Sequence, residues 1–236
     1  IVTVSEALRR DLLGRIGVTD PAPQVILNGI DTHRFAPGAH STVLRRQMAV
    51  DDAALVIGHV GRMAPVKNHR LLLQAFARVA PTHPTAHLAL IGDGELRGEL
   101  EALVDSLGIR ARVCFAGEHR EVAPLVADLD IFVLCPFSEG TSISLLEALA
   151  SGIPCVATAV GGNVAVLDQG AAGRLVPSDD VEALARALDE LLAAPALRHE
   201  LGRRARERAL DAYSEAAMTR AYEAVYERAL AARHAH

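Results

Sequence analysis

The chain has 236 residues and a formal net charge of −5 at pH 7, and 50% of its residues are hydrophobic while only 3% are aromatic. This length and composition suit one or two globular domains with an aliphatic core. They argue against a nucleic-acid-binding protein, because no concentrated basic block is present to contact phosphates. They also argue against a membrane-spanning protein, because no apolar run approaches ~20 residues.

Three cysteines, Cys114, Cys135 and Cys155, lie in or beside apolar runs and lack metal-binding spacing. An odd number without such spacing predicts buried free thiols in a reducing compartment. No signal peptide is visible, so we expect the protein in the cytoplasm. The chain begins with Ile1 rather than Met, and we therefore expect a processed or truncated chain that lacks an upstream part.

The first predicted element is a helix in "VSEALRRDLLGRIG" (4–17) with Ser5 as its cap, followed by a linker in "VTDPAPQ" (18–24). Amphipathic helical patterns then alternate with apolar runs typical of buried strands, at 25–30, 55–61, 87–92, 113–117, 131–136 and 155–158. This alternation predicts an α/β fold, with a doubly wound, mostly parallel Rossmann-like sheet of about six strands over roughly 22–195. Flanking helices complete the chain, and the last two are separated by a break near Tyr213.

The stretch "PFSEGTSISLLEALASG" (136–152) contains two carboxylates, Glu139 in a loop and Glu147 in a helix. One interpretation is structural: Ser144 is the N-cap and Glu147 completes a capping box. That interpretation leaves Glu139 and the small residues after it unexplained. A loop that ends in small residues at a helix N-terminus presents free N–H groups, which suit a phosphate. Carboxylates beside such a phosphate could accept hydrogen bonds from sugar hydroxyls, so the stretch also suits a sugar linked to phosphates.

The stretch "GRMAPVK" (61–67) follows a strand and places Arg62 and Lys67 at the carboxyl edge of the predicted sheet, where open α/β sheets bind ligands. Two cations there could neutralise a diphosphate. The alternative is ordinary surface charge at the start of a helix.

Two further patterns are weaker. In "IGDGELRG" (91–98) the third glycine is one place late for a dinucleotide fingerprint, so we expect Gly92 and Gly94 to let a ligand or a turn approach the strand end. "DLD" (128–130) matches an Asp-x-Asp metal motif but precedes its strand, at the edge opposite the predicted site. Helix-end and turn contacts are the better interpretation of it.

Several of these stretches together resemble the donor-binding C-terminal half of retaining GT-B glycosyltransferases of the family-four type. The motifs are "VILNGIDTHRFAP", "GRMAPVKNHRLLLQAFA", "IGDGE", "VCFAGEHREVAPLVADLDIFVLCPFSEGTSISLLEALASGIPCVAT" and "VGGN" followed by "GRLVP". The resemblance covers nearly the whole chain. It implies a two-domain enzyme of which only the second half is present. Residues 1–21 would then be a helix and linker from a missing N-terminal acceptor domain, 22–209 the nucleotide-sugar-binding domain, and 210–236 a C-terminal helix that packs on the missing domain.

The resemblance also implies roles for individual residues. Arg62 and Lys67 would grip the diphosphate, Glu139 would lie near the sugar, and Glu147 would hold the ribose hydroxyls. The catalytic set is then Arg62, Lys67 and Glu139. The other donor-binding residues implied are Gly61, Gly92, Gly94, Gly117, His119, Gly140, Thr141, Ser142 and Glu147.

The activity implied is retaining transfer of a sugar from a UDP- or GDP-sugar to a saccharide, lipid-linked or small-molecule acceptor, by front-face displacement and in polysaccharide biosynthesis. We expect no cofactor, no obligatory metal and no nucleic-acid partner. Partners would be the donor and the missing acceptor domain or a separate subunit, with possible peripheral membrane association at the inner face. The isolated half is expected to be inactive, and after "VGGN" it has Val164, Ala165 and Val166 where many relatives carry a Glu. Two alternatives stay open: a non-catalytic subunit of a split enzyme, and a GT-B nucleotide-sugar epimerase or phosphorylase.

Overall fold

The computed structural model describes residues 1–18, 22–38 and 41–234. Residues 19–21 of the predicted linker lie outside this part. The strands within it are β1 (Val2–Thr3), β2 (Gln24–Val25), β3 (Leu55–Val60), β4 (Ala86–Ile91), β5 (Val113–Gly117), β6 (Ile131–Leu134), β7 (Cys155–Thr158) and β8 (Arg174–Val176). The α-helices are α1 (Glu6–Asp11), α2 (Val43–Met48), α3 (His69–Val79), α4 (Arg97–Ser106), α5 (Ala123–Val126), α6 (Ile143–Ala150), α7 (Asn163–Val166), α8 (Val181–Ala193), α9 (Pro195–Ala212) and α10 (Glu215–His234).

A six-stranded parallel sheet with the order β5-β4-β3-β6-β7-β8 forms the centre of the molecule. The chain winds outward from β3 through β4 to β5, then returns to the other side of β3 and continues through β6, β7 and β8. The predicted doubly wound Rossmann-like sheet is therefore confirmed. The winding direction reverses between β3 and β6, and such a switch point opens a crevice at the carboxyl ends of the two strands.

Helices cover both faces of this sheet. On one face α3, α4 and α8 pack over strand residues such as Ile57 and Leu88. On the other face α2, α5, α6 and α9 pack over the alternate residues, such as Val56 and Ala89. Because both sets of alternate residues are buried, the strands are continuously apolar, which explains why they were readable from sequence.

The apolar run 25–30 is the exception, and its assignment to the main sheet was wrong. Only Gln24–Val25 is a strand, and it pairs in parallel with β1 in a separate two-stranded sheet. Beyond it, Ile30 donates its N–H to the Tyr213 carbonyl at 2.7 Å. A Cβ at Gly29 would lie 2.7 Å from the Glu215 Cα, so the chain passes too close to the start of α10 for a neighbouring strand. The sixth strand of the main sheet is β8 instead.

The two ends of the chain form the helices that were predicted for them. The Ser5 hydroxyl caps α1 by accepting the Leu8 N–H at 3.2 Å. The helical C-terminal region breaks between Ala212 and Glu215, around the buried Tyr213. No helix among the described residues is long and apolar enough to cross a membrane. The three cysteines are free thiols, and Cys135 and Cys155 are fully buried.

Candidate functional site

The predicted site residues lie on loops that leave the carboxyl ends of four adjacent strands. Residues 61–67 follow β3, 92–94 follow β4, 117–119 end and follow β5, and 139–142 follow β6. The topology thus gathers four separate sequence stretches at one edge of the sheet, on and beside the switch point.

Lys67 and Glu139 meet across the switch point. The Lys67 Nζ donates to the Glu139 Oε2 at 2.6 Å, although the two residues are 72 positions apart in the chain. Their side chains are only 24% and 15% exposed. A charge-assisted contact with little water around it is stronger than a surface pair. A lysine and a carboxylate that were both predicted in the site are therefore held together in it.

Arg62 lies on the same loop as Lys67 but extends into solvent. Its side chain is 74% exposed and pairs with Glu95 at 3.0 Å. An exposed ion pair contributes little stability, so the guanidinium can exchange Glu95 for another anion at small cost. Arg62 lines a cleft of about 400 Å³ together with four further residues, namely Gly92, Asp93, Gly94 and Glu118.

Gly92 and Gly94 serve the packing of two loops against each other. Gly92 has φ +133, and a Cβ there would overlap with the Gly61 carbonyl oxygen. A Cβ at Gly94 would lie 2.6 Å from the Met63 carbonyl oxygen. Of the two uses predicted for these glycines, close approach of a turn is the one that the geometry shows. The β4 loop thereby supports the backbone next to Arg62.

The β5 loop is joined to the β4 loop by its backbone. The Gly117 carbonyl, in a residue with φ +82, accepts the Gly92 N–H at 2.8 Å. The His119 Nε2 donates to the Ala116 carbonyl at 3.0 Å, which folds the ring back over the end of β5. Gly117 and His119 therefore lie beside the cleft that contains Arg62, on the side away from Lys67.

The loop that carries Glu139 packs against a pair of glycines that we did not assign to the site. A Cβ at Gly161 would overlap with the Glu139 carbonyl oxygen, and one at Gly162 with the Gly140 carbonyl oxygen. The Gly162 N–H also donates to the Glu139 carbonyl at 3.2 Å. The signal was present in the sequence as two consecutive glycines shortly after β7. Gly140 itself has open space around its Cα, and Thr141 donates its hydroxyl to the Val4 carbonyl at 3.3 Å.

The predicted capping box in α6 was wrong. The N-cap is Ser142, whose hydroxyl oxygen accepts the Leu145 N–H at 3.4 Å, and Ser144 only contacts the Ser142 hydroxyl. Glu147 lies five positions beyond this cap, whereas a capping box needs three. The structural explanation of Glu147 is thereby removed.

The Glu147 carboxyl is partly buried, and nothing in the described part of the chain forms a hydrogen bond or ion pair with it. Burial raises its pKa to about 7, and the positive charge of Arg34 opposes this rise. Arg34 itself pairs with Glu121 at 2.5 Å. A partly buried carboxyl with a raised pKa and no partner is typical of a functional position. We did not predict Arg34 near Glu147, because no pattern in the residues around Arg34 distinguishes it from other surface arginines.

Two buried histidines lie beneath the loop that carries the cations. The His59 and His69 rings are 4.4 Å apart, edge to face. The His59 Nδ1–H donates to the Val133 carbonyl at 2.9 Å, and a Cβ at Gly61 would lie 3.2 Å from its Nε2. Burial lowers the pKa of His59 to about 4 and that of His69 to about 2, so both rings are neutral near pH 7. These two neutral side chains lie beneath the loop and do not repel the Lys67 ammonium group.

The "DLD" aspartates have the structural role predicted for them. Asp128 is fully buried and accepts the N–H groups of Thr42 and Leu44, each at 2.8 Å. Asp130 pairs with Arg45 at 2.8 Å and accepts the Val56 N–H. In the described ranges no cluster of three or more His, Cys, Asp or Glu residues could hold a metal ion.

The model of a family described as "Glycosyl transferases group 1" matches residues 41–208. N-acetyl-alpha-D-glucosaminyl L-malate synthase of Bacillus anthracis is 32% identical over 203 residues, which are 86% of this chain and 53% of that protein. The lipopolysaccharide core biosynthesis glycosyltransferase LpsE of Rhizobium meliloti is 35% identical over 184 residues, 75% of this chain and 53% of that protein. The chain thus spans about half the length of these curated relatives. A crystal structure of Anabaena HepE in complex with UDP-glucose superimposes with a TM-score of 0.87 at 23% identity, over 96% of this chain and 63% of that chain.

Proposed function

The chain belongs to the glycosyl transferases group 1 family, as the resemblance predicted, and from this membership we propose that it is the donor-binding half of a retaining GT-B glycosyltransferase. The observation that carries the proposal is the Lys67–Glu139 pair at the switch point of the sheet, with Glu147, which has no partner among the described residues, on the helix that follows. A cation and two carboxylates in this arrangement match the needs of a sugar joined to a diphosphate.

The cations act on the diphosphate. Lys67 is a compact charge held in place by Glu139, and Arg62 is a planar fork that reaches the same edge from solvent. The leaving diphosphate gains negative charge as the bond to the sugar breaks. Cations that already stand where this charge develops stabilise the transition state more than the ground state. The N-terminus of α6, preceded by Gly140, Thr141 and Ser142, adds N–H groups on the other side.

The carboxylates hold hydroxyl groups. Glu139 is close enough to Lys67 to lie beside the sugar, and Glu147 accepts the ribose hydroxyls further along α6. Glu147 finds no partner in the part of the chain that the structure describes, and this supports the role, because a partly buried carboxylate without a hydrogen bond is unfavourable until a ligand supplies one. We propose front-face displacement with retention, in which Glu139 stays paired with Lys67 instead of attacking the sugar.

The base occupies the cleft beside the β4 and β5 loops, near Gly117 and His119. We propose uridine as the base, with guanosine as the second choice, and the complex of HepE with UDP-glucose supports the first. The reaction as proposed requires no cofactor and no metal ion.

The acceptor is proposed to bind between this chain and an N-terminal acceptor domain, to which residues 1–21 would belong and against which 210–236 would pack. The names of the relatives concern L-malate and a lipopolysaccharide core, so small-molecule and saccharide acceptors both have support. We place the complete enzyme in the cytoplasm, with peripheral contact to the inner membrane face where the acceptor is lipid-linked. Transfer needs two substrates aligned with water excluded, so this half alone should bind the donor without transferring it.

Calorimetry with UDP and with uridine tests the proposal. Lys67→Ala and Arg62→Ala should each weaken UDP binding about tenfold to a hundredfold, since a charge-assisted hydrogen bond contributes about 1.5–3 kcal/mol. Both variants should leave uridine binding unchanged. Arg110→Ala is the matched control, because Arg110 also forms an exposed ion pair, with Asp105 at 2.7 Å, but precedes β5 at the opposite edge of the sheet. Equal losses for UDP and uridine, or a loss in the Arg110 control, would contradict the assignment.

A further inference from the structure

A cavity of about 460 Å³ separates α1 from the turn that leads into α7. We call it the α1–α7 cavity. Its lining includes Glu6, Arg10, Thr141, Gly162, Ala165 and Arg208. Thr141 and Gly162 belong to the loops that pack around Glu139, so the cavity adjoins the donor site without including Lys67 or Arg62.

Arg208 brings an incompletely satisfied guanidinium group to this cavity. Its Nη2 donates to the Ala165 carbonyl at 3.1 Å, and the group lies over the Tyr213 ring at 5.4 Å. Its Nε–H is buried and finds no acceptor among the described residues. A buried donor without an acceptor is unfavourable, so a ligand oxygen that reaches it is favoured.

Arg10 supplies a second positive charge from the opposite wall. Glu6, the acid that lines the same cavity, is paired with Arg9 at 3.3 Å. Within the described ranges Arg10 forms no ion pair. Two arginines therefore line one cavity, and Glu6, the one carboxylate that lines it among the described residues, is already paired with Arg9.

Three acids line a second cleft that Arg208 also borders. They are Asp168, Glu207 and Asp211, and this cleft has a volume of about 570 Å³. None of them comes within ion-pair distance of the guanidinium in the part of the chain described, and Glu207 pairs with Arg203. They reduce the local positive potential but leave the cavity side of Arg208 free to accept an anion.

We propose that the α1–α7 cavity binds the oxyanion group, carboxylate or phosphate, of a small anionic acceptor. Arginine binds both groups through paired N–H donors, which explains why two arginines rather than lysines suit this site. Arg208 and Arg10 would both contact the anion, and the Arg208 Nε–H would gain the acceptor that it lacks among the described residues. That the anion belongs to the acceptor rests on the proposed function, whereas anion binding itself does not.

The test is an NMR titration of the chain with inorganic phosphate and, separately, with acetate, against sodium chloride at equal ionic strength. We expect a saturable shift of the Arg208 Nε–H signal and of the Gly162 and Ala165 amides with at least one probe. The probe that binds more tightly identifies the anion class. Phosphate that binds near Lys67 is followed separately at the Gly61 amide. No saturable shift at the cavity signals with either probe would overturn the proposal.

Single substitutions test whether the two arginines bind the anion. Arg208→Gln and Arg10→Gln should each weaken binding by roughly tenfold, as expected for the loss of one charge-assisted contact. Arg203→Gln is the control with the same charge change on the same helix, since Arg203 pairs with Glu200 and Glu207 at the surface. Should Arg208→Gln fail to fold, Arg10→Gln decides alone, because Arg10 is exposed. Equal affinity in Arg10→Gln and Arg203→Gln would overturn the proposal.

A last titration separates acceptor from donor. Anion binding at the cavity should persist when the chain is saturated with UDP, because an acceptor binds alongside the donor. Displacement of the anion by UDP would show that the cavity belongs to the donor and would overturn the acceptor assignment. If UDP does not bind at all, the proposed function fails, and the anion titration still decides the site.

Discussion

Replacing Glu147 by glutamine should make the protein more stable and, at the same time, a weaker nucleotide binder. The reason is the environment of this carboxyl group, whose pKa burial raises from 4.5 to about 7. The folded state then holds the proton more tightly than the unfolded state. Stability from this group is fully present below pH 4.5 and is lost as the pH rises to about 7, where the carboxyl ionises in place.

The size of the effect follows from the two pKa values. A rise from 4.5 to about 7 corresponds to about 3 kcal/mol at most. Because the side chain is only partly buried, solvent screening reduces this to on the order of 1–2 kcal/mol. Glutamine has a similar shape and no charge, so Glu147→Gln should recover that amount above pH 7. For a domain of this size the melting temperature should rise by roughly 2–8 °C.

The assay compares thermal unfolding of Glu147→Gln and the unmodified protein at pH 5 and pH 8, without ligand. The difference in melting temperature should be small at pH 5 and several degrees at pH 8. UDP affinity measured by calorimetry at pH 8 should fall by about 1–2 kcal/mol, because the neutral amide accepts the ribose hydroxyls less strongly. Glu223→Gln, which removes an exposed carboxylate on α10, should change neither quantity.

Two results would refute this reasoning, each at a different step. The same melting-temperature difference at pH 5 and pH 8 would mean that burial does not raise the Glu147 pKa in the folded state. A stabilised variant that retains full UDP affinity at pH 8 would mean that the raised pKa is real but that the carboxylate does not contact the ribose.

Two further outcomes follow from the neighbours of the site. Arg34→Met should raise the Glu147 pKa, because it removes a positive charge near the carboxyl. Glu121→Gln should lower that pKa, because it frees the Arg34 charge from its ion pair. A ¹³C NMR titration of Glu147 measures both, and a shift of the pKa in the same direction in the two variants would contradict this explanation. Gly162→Ala should destabilise the fold by about 1–3 kcal/mol and weaken UDP-glucose binding, because the new methyl group overlaps with the Gly140 carbonyl, whereas Gly98→Ala has open space and should do neither. Urea denaturation and calorimetry on the two alanine variants check this, and equal behaviour of the pair would contradict it.

The sequence pattern was sufficient to predict those features that depend on residues close together in the chain. The continuous apolar runs predicted five of the six strands of the main sheet, since a parallel strand buried on both faces must be apolar throughout. The Ser5 cap was likewise readable, because a helix cap depends on residues a few positions apart. The position of Asp128 and Asp130 before β6 was enough to predict a structural role for them, although their partners Thr42, Leu44, Arg45 and Val56 are distant in the chain. The family followed from motifs that keep their spacing along the chain.

Tertiary structure alone decided the features that depend on distant partners. The run 25–30 has the pattern of a strand in the main sheet, but β1 and the start of α10 occupy the space around it. Only Gln24–Val25, at its beginning, therefore pairs as a strand. The capping-box pattern predicted Ser144 as the cap of α6, but in the folded chain the cap is Ser142. The Lys67–Glu139 pair and the effect of Arg34 on Glu147 join segments that are far apart in the chain. Sequence by itself therefore determined the family, most of the main sheet and a set of candidate site residues, whereas the fold determined which of those residues touch and how far from water they lie, because contact and burial arise only when the sheet brings its carboxyl ends together.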